Sequence, residues 1–159
     1  MSTPRSTDLS RWADADDLVD ALARVDKSQR GEIGGAVEML LEHPDPDVRE
    51  EALRVLFILW KAKDLHRRAV DALLHDEDPD VRAAAGYAVA ASSSPLTRRE
   101  DIATLVATVR NTEEAPFVRA SAYDGLLILH ERNSFPDMRR AFRPERDVDW
   151  SWIERLAQD

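Results

Sequence analysis

The sequence predicts an all-α chain, an α-solenoid of about four stacked helix pairs plus a C-terminal capping helix. Three observations lead there. Ala, Leu, Asp, Glu and Arg dominate, while glycine occurs only five times in 159 residues, a balance that favours helix. No stretch alternates apolar and polar residues between turns as a half-buried strand would. One proline-led segment recurs three times, the mark of a repeat architecture. The length suits one domain, expected over residues 14–159. Residues 1–13 lack helical periodicity and read as a flexible N-terminal arm, with Trp12 as the residue placed to dock it.

The recurring segment aligns without gaps as Asp45-Pro46-Asp47-Val48-Arg49, Asp78-Pro79-Asp80-Val81-Arg82 and Ala115-Pro116-Phe117-Val118-Arg119. Its prolines lie 33 and then 37 residues apart, within the range of α-solenoid repeats. An aspartate before the proline is a good N-cap, and proline at the first helical position sacrifices no intrahelical bond. The valine and the alanine four residues later share one face, where the small alanine lets another helix approach. This pattern resembles the HEAT-repeat family, in particular the short repeats of phycobilisome-lyase-like proteins, over roughly residues 44–143. The resemblance implies a buried polar ladder between neighbouring repeats, formed here by Asp47, Arg49, Asp80, Arg82 and Arg119. The third copy departs from the pattern with Ala115 and Phe117, which weakens the ladder at that end and suggests a repeat near the edge of the stack.

Helices follow from the spacing. The first is expected over about Asp16 to Val25, with Leu18, Val19, Leu22 and Val25 on one face. The second runs from about Glu32 to Glu42, its first turn weakened by Gly34 and Gly35. The third begins at Pro46 and ends near Trp60, read as a core residue; the fourth follows Asp64. The fifth runs from Pro79 to about Ala91 and stops at Ser92-Ser93-Ser94-Pro95. Thr97 to Glu100 reads as a capping box for a sixth helix burying Ile102, Leu105, Val106 and Val109. A seventh runs from Pro116 to Glu131, Ser134 to Asp137 open a short eighth, and Asp147 to Ala157 form the terminal helix.

Composition narrows the functions. With no cysteine, disulfides, thiolate metal sites and cysteine nucleophiles are excluded. The start does not read as a secretory signal, and the longest apolar run, Val55 to Trp60, is far too short to span a bilayer, so a cytoplasmic protein without membrane attachment is expected. A net charge of −9 disfavours non-specific attraction to nucleic acid. The four histidines, His43, His66, His75 and His130, do not converge as metal ligands; Asp71 and His75 have helical spacing, but no second histidine joins them. Asp76 to Asp80 lacks the glycine and distal glutamate of a calcium loop and reads as a repeat junction. No nucleophile elbow, phosphate loop or dinucleotide fingerprint occurs, so neither catalytic residues nor a cofactor are expected.

The remaining constellation is a set of arginine pairs, Arg67-Arg68, Arg98-Arg99 and Arg139-Arg140, which fall 21, 19 and 23 residues after the repeat prolines. Cations at a helix start oppose the helix dipole, a small cost that fold alone does not require. The resemblance places second helices on a concave face, where these pairs would form a basic stripe suited to a carboxylate- or phosphate-bearing partner. Neighbouring acids such as Asp64, Glu100, Asp101 and Asp137 could instead hold the arginines in surface ion pairs. Trp150 and Trp152 cannot share one helical face, so one could anchor an interface while the other staples the tail to the last repeat. The expected function is a non-enzymatic protein-interaction module: an adaptor, regulatory or immunity-type protein. Nucleic-acid binding of the HEAT-like DNA glycosylase type is the alternative, with the charge against it, and a pigment-attaching chaperone ranks last.

Overall fold

The computed structural model describes residues 14–132 and 142–158, and every regular element among them is helical. The chain divides into two compact units, Met1–Lys61 and Ala62–Asp159.

In the first unit α1 spans Ala15–Ala23, opened by the Asp14 side chain, which accepts from the Asp16 N–H at 3.2 Å. Its buried Leu18 and Leu22 face α3. A reciprocal cap follows: Asp26 accepts from the Ser28 N–H, and Gln29 accepts from the Asp26 N–H. This leads into α2, Arg30–Met39. The third helix, α3, covers Pro46–Leu53 and widens into a π-helical turn over Arg54–Leu59, closed by the Trp60 N–H donating to Val55 C=O at 3.0 Å. Val48, Ala52, Val55, Leu56 and Phe57 form the core here. Trp60 is buried as expected, its indole N–H donating to the Asp26 carbonyl at 2.9 Å. Lys61, left-handed at φ 54°, turns the chain out of the helix.

The second unit holds α4, His66–His75; α5, Pro79–Ser92; α6, Arg98–Arg110; α7, Pro116–Leu129; a single turn α8, Pro144–Asp147; and α9, Trp150–Leu156. The central layer is α5 beside α7, with α4 packed on α5 and α6 on α7. Residues Val118 to Leu127 are buried without a break, the signature of a helix surrounded on all sides. Small residues set how near α5 and α7 come. A Cβ on Gly86 would lie 2.8 Å from Ser121 Oγ, and one on Gly125 would lie 3.0 Å from the Gly86 carbonyl oxygen. Both glycines serve close approach, since neither has a positive φ.

The repeat residues act locally. Asp45 and Asp78 cap α3 and α5 through the Asp47 and Asp80 N–H groups. Arg49 donates to the carbonyls of His43 and Pro44, and Arg82 in the same register donates to those of Asp76 and Glu77. Arg119 donates to the Val109 carbonyl at 2.8 Å. The repeat arginine therefore fastens its helix to the end of the preceding one, satisfying carbonyls that a helix end leaves open. The expected ladder takes a different form. Asp47 and Asp80 stand exposed in the first turn, where the helix dipole favours an acid, and Arg82 makes a two-pronged pair with Glu114 instead. Glu114 also accepts from the Ala115 N–H, and α7 starts without a side-chain cap where the third copy lacks the aspartate. The predicted capping box at Thr97 does not form, because the Thr97 hydroxyl donates to Asp101. The expected eighth helix at Ser134 to Asp137 lies outside the described residues, as does the arm at 1–13.

Beside the α5–α7 contact, Asp124 is only 7% exposed; Tyr87 supplies one hydrogen bond and its Oδ1 has no partner. Burial pushes its carboxyl above the ordinary carboxylate range, against the opposing Tyr87 bond. The sign follows from proton linkage. The folded chain holds this proton at pH values where the unfolded chain has released it, so stability falls as pH rises from the ordinary value through the raised one. Asp124→Asn is expected to raise stability by about 1 kcal/mol at pH 7, with the gain shrinking below about pH 4, as urea titrations at both pH values would measure.

Candidate functional site

A groove of about 670 Å³ opens along α6. Arg99, Ile102, Ala103, Val106, Ala107 and Arg110 recur at three- and four-residue spacing, so one stripe of the helix lines it. Leu156 and Ala157, at the end of α9, form part of the opposite wall, while Pro95 and His130 complete the lining. The floor is apolar. Arg98 and Arg99 stand at one end and Arg110 at the other, concentrating positive charge in a chain of net charge −9.

Two sets of contacts hold this geometry. At the start of α6, Asp101 is 2% exposed and accepts from Ser93 Oγ at 2.6 Å and Thr97 Oγ1 at 2.9 Å. His66 Nε2 meets Asp101 Oδ1 at 2.8 Å, and His66 Nδ1 meets Ser92 Oγ at 2.9 Å, so α4, α5 and α6 join at one polar knot. Arg98 donates to the Leu129 carbonyl, tying the same end of α6 to the end of α7. At the far wall, Trp152 is buried edge-on to His130 and Tyr123, with the Arg132 guanidinium 4.2 Å over its ring. The Tyr123 hydroxyl accepts from the Asp149 N–H at 3.1 Å, and Asp149 caps α9. These contacts fix α9, and Arg110 pairs with Glu154 on it at 3.6 Å.

The Ser92, His66 and Asp101 contacts have the residue types of a hydrolytic triad, but Ser92 is 1% exposed and its hydroxyl donates to the Ala88 carbonyl at 2.7 Å. A nucleophile needs access and a proton directed to its base. The knot ties helix ends together. No group of three or more potential ligands is placed to hold a metal among the described residues.

Of the residues expected to contact a partner, Arg98 and Arg99 line the groove. Arg67 is exposed and Arg68 half-buried on α4, and neither lines it; Arg139 and Arg140 lie outside the described residues. Trp152 is no surface anchor, because its ring fills the space between α7 and α9. Trp150 is half-buried, its indole N–H donating to the Pro144 carbonyl at 2.9 Å. Ile102, expected in the core, lies half-exposed on the groove floor. Sequence reading missed Arg110 and Leu156. The spacing from Arg99 through Ala103 and Val106 could have revealed Arg110; Leu156 depends on how α9 folds back. Leu96, which follows the groove-lining Pro95, is 95% exposed and adds apolar surface to the α5–α6 loop.

No helix among the described residues is long and apolar enough to cross a membrane. Residues 35–127, more than half of the chain, match the family model for HEAT repeats. No curated protein and no solved structure matches the chain.

Proposed function

Since the chain belongs to the HEAT-repeat family, we propose that it is a non-enzymatic protein-interaction module of the cytoplasm, seating a protein partner in the groove along α6. HEAT repeats generally mediate protein–protein interaction, and stacked helices provide extended surfaces for it. The observation that carries this reading is the groove itself: an apolar floor on one helix stripe, rimmed by arginines and followed by an exposed leucine. Binding sites combine buried apolar surface with a few placed polar groups in this way. Use of the arginine pairs on nucleic acid has less support. Its binding rests on accumulated phosphate contacts, yet of the pairs among the described residues Arg98-Arg99 alone lines the groove, and Trp60 and Trp152 are buried.

The test compares affinity capture from the source cells by three versions of the chain. A partner held by the native protein is expected to be lost with Ile102→Asp and kept with Met39→Asp, an equally drastic change at an exposed residue outside the groove. Capture that survives Ile102→Asp would remove the groove from the reading.

A further inference from the structure

We infer that the groove is built for an acidic amphipathic helix of the partner protein, an assignment that rests on the interaction reading above. The charges and the floor lie in series. Arg99 and Arg110 are eleven positions apart on α6, about 16 Å along its axis at 1.5 Å per residue, and Ile102, Ala103, Val106 and Ala107 lie between them. A helix laid along this stripe would place apolar residues at three- and four-residue spacing over the floor, with carboxylates about three turns apart against the two cationic ends. The chain already displays the chemistry at one end, where Glu154 sits 3.6 Å from Arg110. Both side chains are half-exposed, so that pair is weak and a partner's carboxylate can compete for the guanidinium. At the other end, Arg98 is bound to the Leu129 carbonyl, which holds the positively charged start of α6 at the groove mouth beside Arg99. The rest of the molecule adds selectivity. A net charge of −9 disfavours an acidic segment on the chain as a whole, so a basic rim sets position more than strength.

Fluorescence anisotropy with the purified full chain tests this. The probe is a labelled helical peptide of about four turns, with leucines along the middle of one face and glutamates at both ends. Binding is expected at micromolar concentrations, weakened about tenfold or more when lysines replace the glutamates or serines replace the leucines. Arg99→Glu combined with Arg110→Glu is expected to reverse the preference, so that the lysine peptide binds better. That reversal cannot arise from a misfolded variant. Equal binding of both peptides, no binding of either, or a preference that survives the charge reversal would overturn the inference. So would binding of a single-stranded oligonucleotide in place of the peptide, lost in the same double variant. If Ile102→Asp still releases the cellular partner while the peptides fail, the groove remains the site and only its assigned chemistry falls.

Discussion

Gly86→Val is expected to lower the stability of the second unit by about 3 kcal/mol, at the upper end of what overpacking usually costs. The position has no room. Even a Cβ would lie 2.8 Å from Ser121 Oγ and 3.3 Å from the Ala122 backbone nitrogen. Ser121 is buried and donates to the Val118 carbonyl, so its hydroxyl cannot swing aside without losing that bond. The two further methyls of valine must push α5 and α7 apart, and these helices form the middle of the unit. Urea denaturation should show a lower midpoint with an unchanged slope. The internal comparison is Gly35→Ala on α2, where nothing lies within 4 Å of the new Cβ. There the helix propensity of alanine is expected to raise stability by up to about 1 kcal/mol. A midpoint for Gly86→Val near that of the native protein would show that α5 and α7 are not in such close contact.

The second large effect is expected at Asp101. Its carboxylate accepts from Ser93 and Thr97 and meets His66, all at one buried point. Asp101→Ala leaves those partners without their shared acceptor, and about 3 kcal/mol should be lost. Asp101→Asn keeps the shape and one acceptor oxygen and should cost less. The damage should also be local. Hydrogen exchange in the first turn of α6 is expected to accelerate more than exchange in α7, because the knot holds that end of the helix. Uniform acceleration along both helices would mean that Asp101 supports the whole core instead of the start of α6.

How much of this was legible in the sequence depends on how far apart the interacting residues lie. The starts at Pro46, Pro79 and Pro116 were readable because proline, the capping aspartates and apolar spacing act within one or two turns, whereas the expected helix from Asp147 to Ala157 is split into Pro144–Asp147 and Trp150–Leu156. The π-helical turn at Arg54–Leu59 was not, since nothing in Val55 to Leu59 distinguishes it from an ordinary apolar helix. The repeat arginines were found, but their partners were not, because Arg82 can reach Glu114 only once α5 and α7 lie side by side. The groove was half legible. Arg98 and Arg99 stood out as a pair, whereas Ile102 read as core because periodicity identifies an apolar face without saying what covers it. Trp150 and Trp152, two positions apart, differ in burial. Which of them is buried was decided by Tyr123 and His130, about twenty to thirty residues earlier in the chain.

A partner protein seated along α6 can be trapped there covalently. A photo-reactive amino acid placed at Ala103, an exposed position on the groove floor, is activated in the source cells and its adducts are identified by mass spectrometry. The same residue placed at Met39 serves as the comparison. A discrete covalent adduct with one protein from Ala103, not formed from Met39, is the predicted result. No adduct at Ala103, or the same set of proteins from both positions, would show that no partner is seated along α6.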